Sequence, residues 1–254
     1  NDAAEALRDS GGLIHQNAPV LEARHSNGLL KAIRTPKGWH EADLFIDCTN
    51  AWTRSLEPIL RAQSLPVAAL KRYLWFAERG EAWNADKMTK MPLVVTPSGA
   101  YCRPENGHSM MMGWAHDAHD EAPNFLFEDQ DHIEAHFFHR SGTDTRPFEA
   151  WMTLAECIEP LEQFAGISST TSGFYASTPD HNPIMDYDEE IPNLIRLVGF
   201  SGHGAMFGPF TAAVASALAD AGERLDSVEI STGRADLKAF HSNRGFKKHE
   251  QMVI

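Results

Sequence analysis

The chain predicts an α/β plus α+β fold in two parts, and three observations carry that prediction. An apolar run from Leu194 to Val198 enters the stretch Gly199-Phe200-Ser201-Gly202-His203-Gly204, and an Ala-rich helical pattern follows through Ala219. Strand, glycine turn and helix in that order make a cradle for a bound group. Glycine lets the backbone approach closely, and the first helical amides offer N–H donors at the positive end of the helix dipole. Second, strand patterns dominate from Val67 to Trp114, for which an antiparallel sheet with hairpins is the economical reading. Third, Ala42 to Cys48 is apolar at nearly every position, as a strand buried on both faces of a sheet would be.

In chain order, Asp2 to Arg8 reads as a short helix. Strands are expected over Gly12–Asn17 to Val20–Ala23 and over Leu29–Thr35, joined through the Ser26-Asn27-Gly28 turn signal, with Ala42–Cys48 closing the unit. From Trp52 to Gln63 the spacing turns helical, with Trp52, Leu56, Ile59 and Leu60 on one face. The sheet region follows: Val67–Ala77, Leu93–Thr96, Gly99–Arg103 and Ser109–Trp114. Asp131–Arg140 and Pro147–Phe164 are expected to be helices packed on it, the second carried by Trp151, Leu154, Cys157, Ile158 and Leu161. Gly173 to Met185 reads as a strand, a Pro-Asp turn and another strand, with Asp180 capping the turn through its carboxylate. A helix over Pro209–Ala221 closes the pattern.

The sequence has 254 residues, 43% of them hydrophobic, and a net charge of −13, enough apolar material for one large domain or two smaller ones. A net acidic surface repels phosphate backbones, so nucleic acid is not an expected partner. No apolar run approaches the ~20 residues of a spanning helix, so no membrane association is expected. Cys48, Cys102 and Cys157 are too few and too far apart for a disulfide framework; all three are expected to be buried thiols in a reducing, cytoplasmic setting. His116, His119, His132, His136 and His139 form the densest of the histidine clusters. No H-E-x-x-H or mixed Cys/His pattern accompanies them, so no metal site is expected.

Two motifs carry a family resemblance. Tyr175-Ala176-Ser177-Thr178-Pro179-Asp180 with Pro183-Ile184, followed by Asn193-Leu194 and the G-F-S-G-H-G turn at 199–204, resembles the C-terminal half of the FAD-dependent oxidoreductases of the D-amino-acid oxidase, sarcosine oxidase and dimethylglycine dehydrogenase group. Residues 42–53 are similar to that family's flavin-adjacent A-G-A-W-S strand end, and Gly99-Ala100-Tyr101-Cys102-Arg103-Pro104 with Met112-Gly113 to its substrate-domain hairpin. The resemblance implies part of a Rossmann-like FAD-binding domain, discontinuous over residues 1–64 and 170–240, a mixed or antiparallel substrate domain over 65–169, and a tail over 241–254. No G-x-G-x-x-G follows an apolar strand, so the expectation is a family member whose N-terminal βαβ unit lies in a missing segment or a partner subunit.

The activity so implied is oxidation of a secondary, N-methyl or D-amino compound to an imine by hydride transfer to FAD. The cofactor-binding candidates are Asn50, Ala51, Trp52, Gly199, Ser201, Gly202, His203, Gly204, Ala205 and Met206, and the substrate-side candidates are Tyr175, Arg103 and His203. Asn50 stands where the family has Gly, a substitution that a left-handed backbone tolerates but whose side chain intrudes toward the cofactor. Gly173 stands where a tethering Cys would be, Met111 where some relatives carry an oxygen-assisting Lys, and Met206 where they carry a carboxylate-binding Lys. FAD is therefore expected to be noncovalent, and bound weakly or not at all by the isolated chain. A catalytically silent relative acting as a binding or subunit-interaction module is the competing reading.

Overall fold

The structure is a computed structural model that describes residues 2–78, 80, 86, 89–105, 107–114, 146–158 and 166–246. Among these, helix α1 spans Asp2–Asp9, and the first sheet is an antiparallel ribbon of β1 (Glu22–Ser26), β2 (Leu29–Thr35) and β3 (Gly38–Glu41). Asn27 and Gly28 both take positive φ, 54° and 76°, and Ser26 pairs with Leu29 across them, the two-residue hairpin that an Asn-Gly step favours. Residues 12–17 form no strand, and Gly38–Glu41, not Ala42–Cys48, is the third strand of this sheet.

The Ala42–Cys48 segment yields β4 (Phe45–Asp47), which joins a different sheet of order β10-β11-β4. There β11 (Leu194–Val198) runs parallel to β4 and antiparallel to β10 (Ile184–Tyr187). Asn193 forces this placement: its backbone carbonyl accepts from Phe45 N at 3.0 Å, and its amide donates to the carbonyls of Leu30 and Asp43. As an edge strand β4 is not buried on both faces, and Ile46 is 46% exposed. Helix α2 (Thr53–Leu60) keeps part of its expected apolar face, with Leu60 buried beside Leu30, Ile191 and Leu194 and Leu56 packed against them. Thr53, Glu57 and Leu60 are buried, whereas Trp52, in a 3₁₀ turn over Asn50–Trp52, is exposed.

A five-stranded antiparallel sheet of order β6-β7-β8-β5-β9 follows the expected strands closely: β5 (Ala68–Glu78), β6 (Val94–Val95), β7 (Ala100–Pro104), β8 (Ser109–Trp114) and β9 (Gly166–Ser177). Register assigns its faces. Trp75 pairs with Met112 and Met112 with Cys102, and these side chains, with Ala77, Ala100 and Met110, pack on Ala150 and Leu154 of helix α3 (Arg146–Ala155). The other face carries Leu70, Arg72, Leu74, Tyr101, Met111, Gly113, Gly173 and Tyr175. Cys102 is buried as expected, whereas Cys157, just past the end of α3, and Cys48, at the end of edge strand β4, are exposed. The expected helix over Asp131–Arg140 and the histidine cluster lie outside the described residues.

Helix α4 (Gly204–Ala221) covers the β10-β11-β4 sheet, burying Val214 and Leu218 against Met185, Tyr187, Ile195 and Leu197. A hairpin of β12 (Ser227–Ile230) and β13 (Gly233–Asp236), not anticipated from the sequence, adds Val228 to that core. The segment after 240, expected to be a tail, is anchored: Ser242 N and Oγ donate to Asp186, and Arg244 grips Asp180 through Nε and Nη2 at 2.8 and 2.9 Å. A second apolar cluster of Ala51, Leu65, Val67, Ala69, Ala176, Ile184 and Val198 joins the two larger sheets where the sequence motifs converge.

Candidate functional site

The glycine turn between β11 and α4 holds three left-handed residues among its first four: Gly199 at φ 80°, Ser201 at φ 49° and Gly202 at φ 91°. The end of β9 pins it. Ser201 N donates to the Ala176 carbonyl at 2.7 Å, and the buried Ser201 hydroxyl accepts from Thr178 N. A Cβ on Gly199 would stand 2.6 Å from the Thr178 methyl, and one on Gly202 would stand 2.6 Å from the Tyr175 ring. Both glycines are therefore required by close approach as well as by φ. His203 occupies the N-cap position of α4 without a side-chain capping bond.

The N–H groups of this turn are divided between two uses. Gly199 N and Phe200 N donate at 3.0 and 3.4 Å to Oδ1 of Asn50, which itself sits at φ 54° in the neighbouring turn. Asn50 keeps the left-handed backbone expected of it, and its amide oxygen points into the protein's own turn. Among the described residues, Gly202, Gly204 and Ala205 have no acceptor for their N–H groups. Three open donors thus stand at the N-terminus of an 18-residue helix, where the dipole favours electron-rich atoms. Trp52 and Met206, 41% and 69% exposed, flank this opening, and Trp52 meets Phe174 edge-on at 6.2 Å.

Facing the turn, the second side of the five-stranded sheet brings Tyr175, Arg72 and Tyr101 together. Arg72 pairs with Gly173 across β5 and β9, one two-residue step from Tyr175, and its guanidinium lies 5.7 Å from the Tyr175 ring centre. Tyr101 is buried with its ring over Gly113, where a Cβ would come within 2.3 Å of the ring and hydroxyl. Burial pushes the Tyr101 phenol well above the ordinary range, the charge and hydrogen bonding of the Tyr175 hydroxyl add to this, and Arg72 partly opposes it. Tyr101 accordingly stays protonated at neutral pH.

Of the candidates from sequence, Tyr175 and the two turns converge, and Arg103 does not join them. Arg103 is exposed, ion-paired to Glu105 at 2.8 Å and bonded to the Pro104 carbonyl. Its row in the register, through Met111 and Phe76, lies six residues along β5 from the Leu70–Tyr175 pair, a span of about 20 Å. The cation of the site is Arg72, which sequence reading passes over because only the register places it beside Tyr175. Tyr101 was also missed, although it stands in the hairpin Gly99-Ala100-Tyr101-Cys102-Arg103-Pro104 that carried the family resemblance.

Behind the turns lies a buried ionic hub. Arg196, 1% exposed, bonds Asp47 through Nε at 3.0 Å, Asp188 through Nη1 at 2.7 Å, and Thr53 and Glu57 through Nη2 at 2.6 and 3.1 Å. Nη1 also reaches the Gln63 carbonyl at 3.2 Å. Asp47 in turn accepts from Thr49 N, Thr49 Oγ1 and Thr53 Oγ1. Glu57 is buried for this reason, beside an apolar stripe in which Leu60 is buried and Leu56 packs against the same cluster.

Comparison with known proteins shows the family and the fold. A family model described as FAD dependent oxidoreductase matches residues 2–218. The FAD-dependent oxidoreductase domain-containing protein 1 of Bos taurus is 26% identical over 182 residues, covering 66% of this chain and 34% of the relative; that of Xenopus laevis is 26% identical over 194 residues, covering 72% and 36%. The chain therefore spans about a third of the length of these curated relatives. Glycine oxidase from Geobacillus kaustophilus superposes with a TM-score of 0.71 at 18% identity, covering 96% of this chain and 56% of that one. L-Proline dehydrogenase from P. horikoshii superposes at 0.69 with 22% identity, covering 87% and 54%. The fold is shared with both.

Proposed function

We propose that this chain, which belongs to the FAD-dependent oxidoreductase family, forms part of an enzyme that oxidises a small amine or amino acid to the imine. The observation that carries the reading is the junction of Tyr175 and Arg72 with the glycine turn, where a substrate face meets a set of open N–H donors. The family's cofactor is FAD, and the residues present fit one side of it: the donors of Gly202, Gly204 and Ala205 suit an electron-rich oxygen, and Trp52 and Met206 offer exposed apolar surface. When bound, FAD supplies the hydride acceptor.

The chain's own side chains then divide the remaining work. Arg72 brings a guanidinium charge beside the Tyr175 ring, where it attracts a substrate carboxylate. Tyr175 orients the same molecule with its hydroxyl, and the buried Tyr101 hydroxyl, hydrogen-bonded to Tyr175, holds it in place. No thiol stands at Gly173, which supports noncovalent binding. Among the described residues β4 is an edge strand, which suits a further strand from another segment or subunit, and we read the rest of the cofactor site as coming from there.

The test is FAD titration and imine formation with N-methyl and D-amino acids, using a protein in which this edge is completed. Arg72→Gln should raise KM at least about tenfold for carboxylated substrates while leaving uncarboxylated amines unchanged. Equal loss for both would show that Arg72 does not read a carboxylate, and absence of FAD binding by the completed protein would remove the cofactor reading.

A further inference from the structure

The two turns at the candidate site are held to each other by protein groups alone. Asn50 Oδ1 closes the amides of Gly199 and Phe200, and the segment carrying Asn50 is itself gripped at both ends. On one side Asp47 holds Thr49 through its backbone N–H at 2.8 Å and its hydroxyl at 2.6 Å. On the other, Thr53 bonds both Asp47 and Arg196. Every guanidinium nitrogen of Arg196 is engaged, so the hub has one arrangement rather than several.

We propose that Asn50 is a positioning residue, a clasp that fixes the spacing of the 49–53 turn from the 199–204 turn, with the Arg196 hub as its anchor. The inference rests on reading these turns as the cofactor side of the site. Its consequence is that the cleft keeps its geometry without cofactor, so that binding there carries little ordering cost. The clasp also explains which donors remain for a ligand. With Gly199 and Phe200 closed by Asn50, only the later amides of the turn and helix face outward.

Amide hydrogen exchange of the chain without FAD tests this directly. Asn50→Gly keeps a residue at ease at φ 54° and removes the clasp; exchange at Gly199 and Phe200 should accelerate at least about tenfold, while Ile195 and Leu197 in the middle of β11 stay unchanged. Asn50→Asp, which retains an acceptor, should keep both amides protected. Thr53→Val touches neither amide, and it should accelerate both if the hub anchors the clasp. Unchanged exchange at Gly199 and Phe200 in Asn50→Gly, or equal acceleration at Ile195 and Leu197, overturns the proposal. FAD titration of the same variants forms a separate arm: exchange as expected with no flavin bound by a completed protein leaves the clasp standing and removes the cofactor reading.

Discussion

The two larger sheets are held by different physics. The five-stranded sheet is stabilised by apolar packing, with Trp75, Met110, Met112, Ala150 and Leu154 all at most 2% exposed on the face under α3. The β10-β11-β4 sheet also has an apolar side against α4, but its other face, where Arg196 stands in register with Asp186 and Asp47, is tied by buried charge. Arg196 meets three carboxylates, Arg224 and Ser242 meet Asp186, and Arg244 meets Asp180. Apolar packing is non-directional and tolerates small shifts, whereas a buried ion network demands one geometry and fails sharply when a member is lost. The sheet whose loops form the cofactor side of the candidate site is the one built from the less forgiving interaction.

The largest effect expected from breaking this contrast is at the hub. Arg196→Met would leave Asp47, Glu57 and Asp188 buried without their counter-ion, at a cost of about 3–5 kcal/mol by chemical denaturation. A loss under about 1 kcal/mol would mean that the carboxylates find water or protons at little cost, and the contrast would collapse. Leu154→Ala, at the apolar centre of the other sheet, should cost about 2–4 kcal/mol through the cavity it leaves. Its effect on amide exchange should be confined to β5, β7 and β8. Spread of that effect to β10 and β11 would show one cooperative core instead of two.

Arg244→Gln should cost about 1.5–3 kcal/mol, the scale of charged hydrogen bonds. Its pH dependence has a definite sign. Burial raises the Asp180 pKa, but the hydrogen bonds and charge of Arg244, with Asn182 N and the Thr178 hydroxyl, outweigh it, and the carboxyl lies below its ordinary value. Stability from this group is therefore fully present above the unfolded value of about 4 and is lost as pH falls through the lower folded value. Wild type and Arg244→Gln should differ at pH 7 and converge in acid; a gap constant down to about pH 2 would assign the effect to packing of the arginine against Phe246. The smallest effect expected is Gly208→Ala in α4, where a Cβ meets no atom within 4 Å apart from its chain neighbours and the helix's own backbone: the gain in helix propensity is opposed by the following Pro209 ring, and the net change in thermal or chemical denaturation should stay under about 0.5 kcal/mol. A loss above about 1 kcal/mol would mean that the clash with Pro209 outweighs the propensity gain.

Sequence legibility follows the same division. The strands of the five-stranded sheet were readable because its apolar positions have one continuous core to face. The β1–β2 turn was readable because Asn-Gly has a strong local preference. The Ala42–Cys48 strand joins a different sheet from the one expected, and α2 buries Glu57 beside its apolar residues, because Asn193 and Arg196 act across more than 130 residues of chain. At the site, the glycine turn and Tyr175 were visible as motifs, and Arg72 was not, since nothing within a few residues of it marks its role.

By itself the sequence determined the strands of the five-stranded sheet, the turn at Asn27-Gly28 and the glycine turn that opens α4, all consequences of φ, ψ and local spacing. Only the tertiary structure decided which sheet β4 joins, that Glu57 is buried and Trp52 is not, and that Arg72 rather than Arg103 stands beside Tyr175. The physical reason is register and charge. Side-chain alternation assigns a residue to a face only after its strand has a partner, and a buried carboxylate has a place only once a distant arginine has arrived to neutralise it.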